Sequence, residues 1–168
     1  MYISALKSAG ITKGHVYVTS PVEATGESAL AGIMNSYEEV TDVKIPEKVK
    51  EAANDEIYTQ AKIVNNSDVN ADDLSKLVSD VKDQVSRDNV TDHNRIVNVI
   101  NNHVQNNNIN ITNSDIENLA NSIEQVQNVQ GDVNIYKEKV SGIFNETGNG
   151  GFSLDGILNW FKSFIGQI

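Results

Sequence analysis

Three histidines, His15, His93 and His103, and an acidic run at Asp68-x-Asn70-x-Asp72 are the residues here whose types could hold a metal. The acidic run opens with calcium-loop spacing, in which oxygens at alternate positions converge on a hard cation. Such a loop needs glycine at its sixth position and glutamate at its twelfth, and those positions hold Asp73 and Ser79. The matching turn in a later copy, Asn108-x-Asn110-x-Thr112, carries no acid, and helix capping accounts for both turns. A zinc hydrolase would want H-E-x-x-H, two ligands one helical turn apart. His93 and His103 lie nearly three turns apart, and His15 falls on the polar side of an alternating run. All three read as solvated or capping residues. No metal and no cofactor is expected.

Nucleophilic chemistry finds little support. Ser20 and Ser28 flank a loop, but no G-x-S-x-G elbow is present and no histidine is tied to either serine. Cysteine is absent, which removes thiolate chemistry and disulfides. Glu38-Glu39 and Asp72-Asp73 read as solvated faces. No catalytic residue is assigned. The best candidate for an anion- or partner-binding site is the loop holding Pro21, Glu23, Thr25, Gly26 and Ser28. It enters a helix N-terminus, where free N–H groups favour anions, and Gly26 would permit close approach. Glu23 and Glu27 would repel a phosphate, and no Walker lysine follows, so a purely structural turn competes with that reading.

The elements that would position these residues are mostly helical. Met1 to Ala9 has Leu6 and Ala9 on one side, and Gly10 is placed to end the helix. His15 to Ser20 alternates, with Val16 and Val18 facing one way, and predicts a half-buried strand. Such a strand needs a partner, and none is evident downstream. Thr25 is the favoured N-cap of a helix carrying Ala29, Leu30, Ile33, Met34 and Tyr37. A second helix runs from Pro46 to about Val64. Beyond it lie four apolar stripes at helical spacing: Leu74 to Val85, Ile96 to Val104, Ile116 to Val126 and Val133 to Phe144. VNADDLSKLVSDV from Val69 echoes ITNSDIENLANSI from Ile111, each with a cap and an acid three residues on, which suits stacked helical hairpins.

The expected fold is therefore mostly α, with a short α-β-α start, then a bundle of short helices, then a C-terminal amphipathic helix. Its parts are 1-65 (the α-β-α segment with a long helix), 66-147 (helical hairpins with a weak internal repeat) and 148-168 (a Gly-rich tether and an amphipathic helix). The last part presents Leu154, Ile157, Leu158, Trp160, Phe161, Phe164 and Ile165 as an apolar docking face. That face would either fold back on the bundle or dock on a partner or a membrane interface.

The 168 residues suffice for one ordinary domain. The net charge of −10 opposes nucleic acid, whose affinity comes mostly from basic side chains on phosphates. The 22 asparagines read as compositional bias. No apolar run of about eighteen residues is present to span a bilayer, and no signal peptide precedes the first amphipathic segment.

The first forty residues carry a resemblance. Ala5-Leu6, Ala9-Gly10-Ile11, Val16, Val18, Pro21-Val22, Gly26, Ala29-Leu30, Gly32-Ile33 and Tyr37-Glu38 resemble the YpuA-like family of secreted or envelope-associated proteins. The resemblance implies a Gram-positive-like origin, an extracellular or cell-envelope location, and a longer parent chain of which this is the C-terminal half. It assigns no activity. The expected function is a non-enzymatic interaction or structural module of an exported envelope protein. Expected partners are a protein, the chain's own N-terminal half or a second copy, with peripheral membrane contact through 152-168. The competing expectation is a fragment of an envelope-acting hydrolase whose site needs an absent N-terminal half.

Overall fold

The computed structural model describes residues 1–12, 15–20 and 22–146, with side chains as far as residue 142. Pro21 and the apolar docking face from Leu154 to Ile165 lie outside the described residues. Among those described, seven α-helices follow one another: α1 (Tyr2–Ser8), α2 (Gly26–Thr41), α3 (Glu47–Asn66), α4 (Ala71–Arg87), α5 (His93–Asn106), α6 (Asn113–Asn128) and α7 (Gln130–Glu146).

The helix starts follow side-chain chemistry. Thr25 caps α2, its Oγ1 accepting the Ser28 N–H at 3.2 Å. Asn70 and Asp92 cap α4 and α5 in the same manner, at 2.7 and 3.0 Å. Thr112 and Asp115 form a reciprocal capping box at the start of α6. The internal echo predicts the same box at Asn70 and Asp73. There Asn70 accepts from the Asp72 N–H instead, and the box does not form.

Three helix ends share one device. Gly10, Asn89 and Asn108 take left-handed conformations, with φ of 79°, 49° and 53°. In each case the next residue's N–H reaches back five residues, as from Ile11 to the Leu6 carbonyl at 2.9 Å. This is the Schellman arrangement, which satisfies carbonyls that the helix leaves free. Glycine and asparagine are the residues that adopt this conformation at least cost. With the Asn70 cap, three of the 22 asparagines therefore have a structural task.

The α-β-α start is corrected. His15–Ser20 is extended, but among the described residues no strand forms. Val16 is 47% exposed, Val18 56% and Tyr17 95%, so neither side of the alternation is buried. Two-residue periodicity makes a strand only where a neighbouring strand supplies the ladder. Here α1 packs directly on α2 and α3, and the extended segment lies outside that packing.

Two apolar clusters fill the interior. One gathers α1, α2, the first part of α3 and α7, with Leu30, Met34, Ile57 and Tyr136 nearly inaccessible. The other gathers Ile63 of α3 with α4, α5 and most of α6, around Leu74, Leu77, Ile96, Ile100, Leu119 and Ile123. The stripes expected for α4 and α6 are buried throughout. In α5, Val99 goes inside and Val97 and Val104 are only partly covered.

Candidate functional site

The interior holds charge where helices α1, α3 and α4 meet. Ser4 and Ser8 lie one turn apart on α1, so their hydroxyls share a face. Glu56 and Gln60 do the same on α3, and Lys82 enters from α4. Ser4 Oγ donates to one Glu56 carboxylate oxygen and Ser8 Oγ to the other. Gln60 Nε2 adds a longer bond at 3.3 Å. Lys82 Nζ lies 3.0 and 2.9 Å from the two carboxylate oxygens, 2.9 Å from Ser4 Oγ and 2.7 Å from Ser8 Oγ. The Glu56 side chain is 2% exposed and that of Lys82 14%. Burial pushes the Lys82 ammonium below its ordinary value, against the raising pull of Glu56.

A cavity of about 170 Å³ adjoins this group, walled by Ser8, Lys82, Asp83, Ile123, Val126 and Gln127. A serine beside a lysine at a cavity wall has the parts of a nucleophile and its base. The bonding runs the other way. With Glu56 against it, Lys82 is an ammonium that donates to Ser8 and has no lone pair to accept a proton. Ser8 in turn donates to a carboxylate already engaged by four other donor contacts. The group ties α1, α3 and α4 together.

A second buried carboxylate, Glu38 on α2, accepts from Lys50 Nζ at 2.8 Å, Lys44 Nζ at 3.0 Å and the Ile45 N–H at 2.8 Å. Burial alone would raise its carboxyl, but these donors outweigh burial and hold it below the ordinary value. It fixes the α2 to α3 connection.

The third cluster is at the surface. His93, the first residue of α5, sits between Glu124 and Glu117 of α6, at 3.0 Å from Nδ1 and 2.9 Å from Nε2. Bonding to Glu117 first, and then Glu124, raises its pKa above the ordinary value. A raised folded-state pKa means that the stabilisation is complete below the unfolded value, about 6.5, and fades as pH rises through the folded value. Wild-type stability should therefore fall with rising pH across that window. His93→Gln should lack the step in a series of urea midpoints. Superimposable pH profiles for the two proteins would remove this assignment.

The candidate loop is only partly assembled. Thr25 and Ser28 meet, with hydroxyl oxygens 3.1 Å apart, and both serve the α2 cap. Gly26 lies where a Cβ would stand 3.5 Å from Ile57, an ordinary contact, so the packing of α2 on α3 does not itself demand glycine there. Glu23 is exposed. His15 is exposed, and His103 meets Gln84 of α4 at 2.9 Å. Among the described residues, no group of three or more His, Asp or Glu converges as metal ligands, and no helix is long and apolar enough to cross a membrane.

The buried charges were missed from sequence, although each stood inside an apolar stripe. Glu56 continues the series Val49, Ala52, Ala53, and Lys82 lies one turn beyond Val78. Glu38 lies one turn beyond Met34. An ionisable residue on an apolar face is the available signal, because it must be paired if buried.

A bundle of capped helices tied by internal ion pairs, with no assembled catalytic set among the described residues, is the class of protein defined so far. The chain belongs to the family described as "Protein of unknown function (DUF1002)", whose model matches residues 1–143. It is 33% identical over 93 residues to "Uncharacterized protein YpuA" of Bacillus subtilis (strain 168), covering 55% of this chain and 31% of that relative. The chain thus spans about a third of the length of the curated relative it matches. No solved structure matches it.

Proposed function

We propose that the chain is a non-enzymatic interaction or structural module of an exported bacterial envelope protein. The observation carrying this reading is the Ser4, Ser8, Glu56 and Lys82 group, whose polar atoms are spent on one another. The adjoining cavity of about 170 Å³ is also well below the roughly 300 Å³ at which small-molecule sites begin. The envelope location and export rest on the family resemblance. The reading gives the chain a protein partner or further domain of its own longer parent, with residues 152–168 as a second contact, on protein or at a membrane interface.

The competing reading is a hydrolase fragment, and the 2.7 Å approach of Ser8 to Lys82 is the feature that favours it. A fluorophosphonate probe separates the two. The folded chain should not be labelled at Ser8, because the hydroxyl faces an ammonium and a carboxylate that already has its donors. Stoichiometric labelling that is lost in Ser8→Ala would overturn the module reading.

A further inference from the structure

We propose that His15–Ser20 is an edge strand that pairs antiparallel with the same segment of a second copy, about a two-fold axis through Tyr17. This deepens the module reading, on which it rests, by naming a surface and its partner. The segment is extended, six residues long and unladdered among the described residues, with Val16, Tyr17 and Val18 exposed. Six residues is an ordinary strand length. Its N–H and C=O groups join no ladder among the described residues, and they carry none of the usual edge protection: no lysine, no acid and no proline lies between His15 and Ser20.

The residue order fits the segment to itself. Pairing about Tyr17 sets Val16 against Val18 of the other copy, Tyr17 against Tyr17, and His15 against Thr19. These are β-branched and aromatic cross-strand pairs of the favourable kind. A two-fold contact of this type is closed and self-limiting. Charge selects the same place. The chain carries −10 overall, yet residues 15–22 hold no acid, so two copies can approach here without facing carboxylates. The run also has a defined end. Ser20 Oγ accepts the Val22 N–H at 3.3 Å and donates to the Val22 carbonyl at 2.6 Å, which turns the chain just past the strand. A lone two-stranded ladder is marginal in water, so the association is weak and concentration-dependent.

Sedimentation of the whole chain from low-micromolar to submillimolar concentration tests this, with amide exchange at Val16 to Thr19 read at both ends of the range. A monomer–dimer equilibrium should appear, with protection of these amides rising with concentration. Val16→Lys with Val18→Lys places like charges opposite each other and should weaken the dimer by on the order of tenfold or more. Val16→Lys with Val18→Glu pairs opposite charges in the same register and should restore it. The segment is exposed, so both variants keep the helical core. A monomer at every concentration, or equal behaviour of the two charge variants, would overturn the proposal. Either result leaves the Ser8 labelling experiment, and so the module reading, untouched.

Discussion

Lys82→Met should destabilise the protein by about 3–5 kcal/mol, the usual effect of removing one partner of a buried ion pair. The loss arises from the carboxylate left behind. Glu56 would keep the Ser4, Ser8 and Gln60 donors but lose its counter-charge while 2% exposed. Adding Glu56→Gln should recover much of the loss, because the amide oxygen still accepts a serine hydroxyl and no net charge remains buried. The downward push on the Lys82 ammonium points the same way: burial outweighs what the pair returns. Urea midpoints of the wild type and the two variants read both effects. If the double variant is no more stable than Lys82→Met, the buried charge is not the cause.

Tyr136→Ala should lower stability by about 3–5 kcal/mol, as truncation of a large buried aromatic does. Tyr136 is 2% exposed and meets the Tyr37 ring at a centroid distance of 6.3 Å. With Val133 and Val140 it seats α7 on the first cluster. Around the left-handed Gly10, a Cβ would stand 3.1 Å from Val133 and 3.4 Å from Tyr136, so α7 rests against a turn with no room to give. Tyr136→Phe is the informative control. The Tyr136 hydroxyl is buried with no hydrogen-bond partner among the described residues, so its removal should be neutral or slightly stabilising. A loss as large as that of the alanine variant would reveal a bond that the geometry does not show.

These two sites mark what a single sequence discloses. The stripes of α4 and α6 were legible because a 3.6-residue period is a local property of the chain. So were Thr25 as a cap and Gly10 as a stop, since each acts on backbone groups within a few residues of itself. HVYVTS was expected to be half-buried, yet both its sides are exposed, because a strand belongs to two segments and periodicity describes only one of them. The Glu56 and Lys82 pair joins two helices, and no pattern in one helix states which carboxylate another lysine will meet. The asparagines hid a signal inside a composition: Asn89 and Asn108 do what Gly10 does, yet they look like their many neighbours.

Helix α3 is about 30 Å long at 1.5 Å per residue. It gives Val49, Ala52, Ala53 and Ile57 to one cluster and Ile63 to the other. Helix α6 runs between the same two clusters, with Ile116 to Ile123 in the second and Val126 in the first. Two rigid rods therefore bridge the halves, and neither has a proline or glycine at which to bend. The halves behave as one mechanical body. A load applied at α1 therefore passes to α4 directly through Lys82 as well as along both rods, and the rods offer it no hinge at which to dissipate.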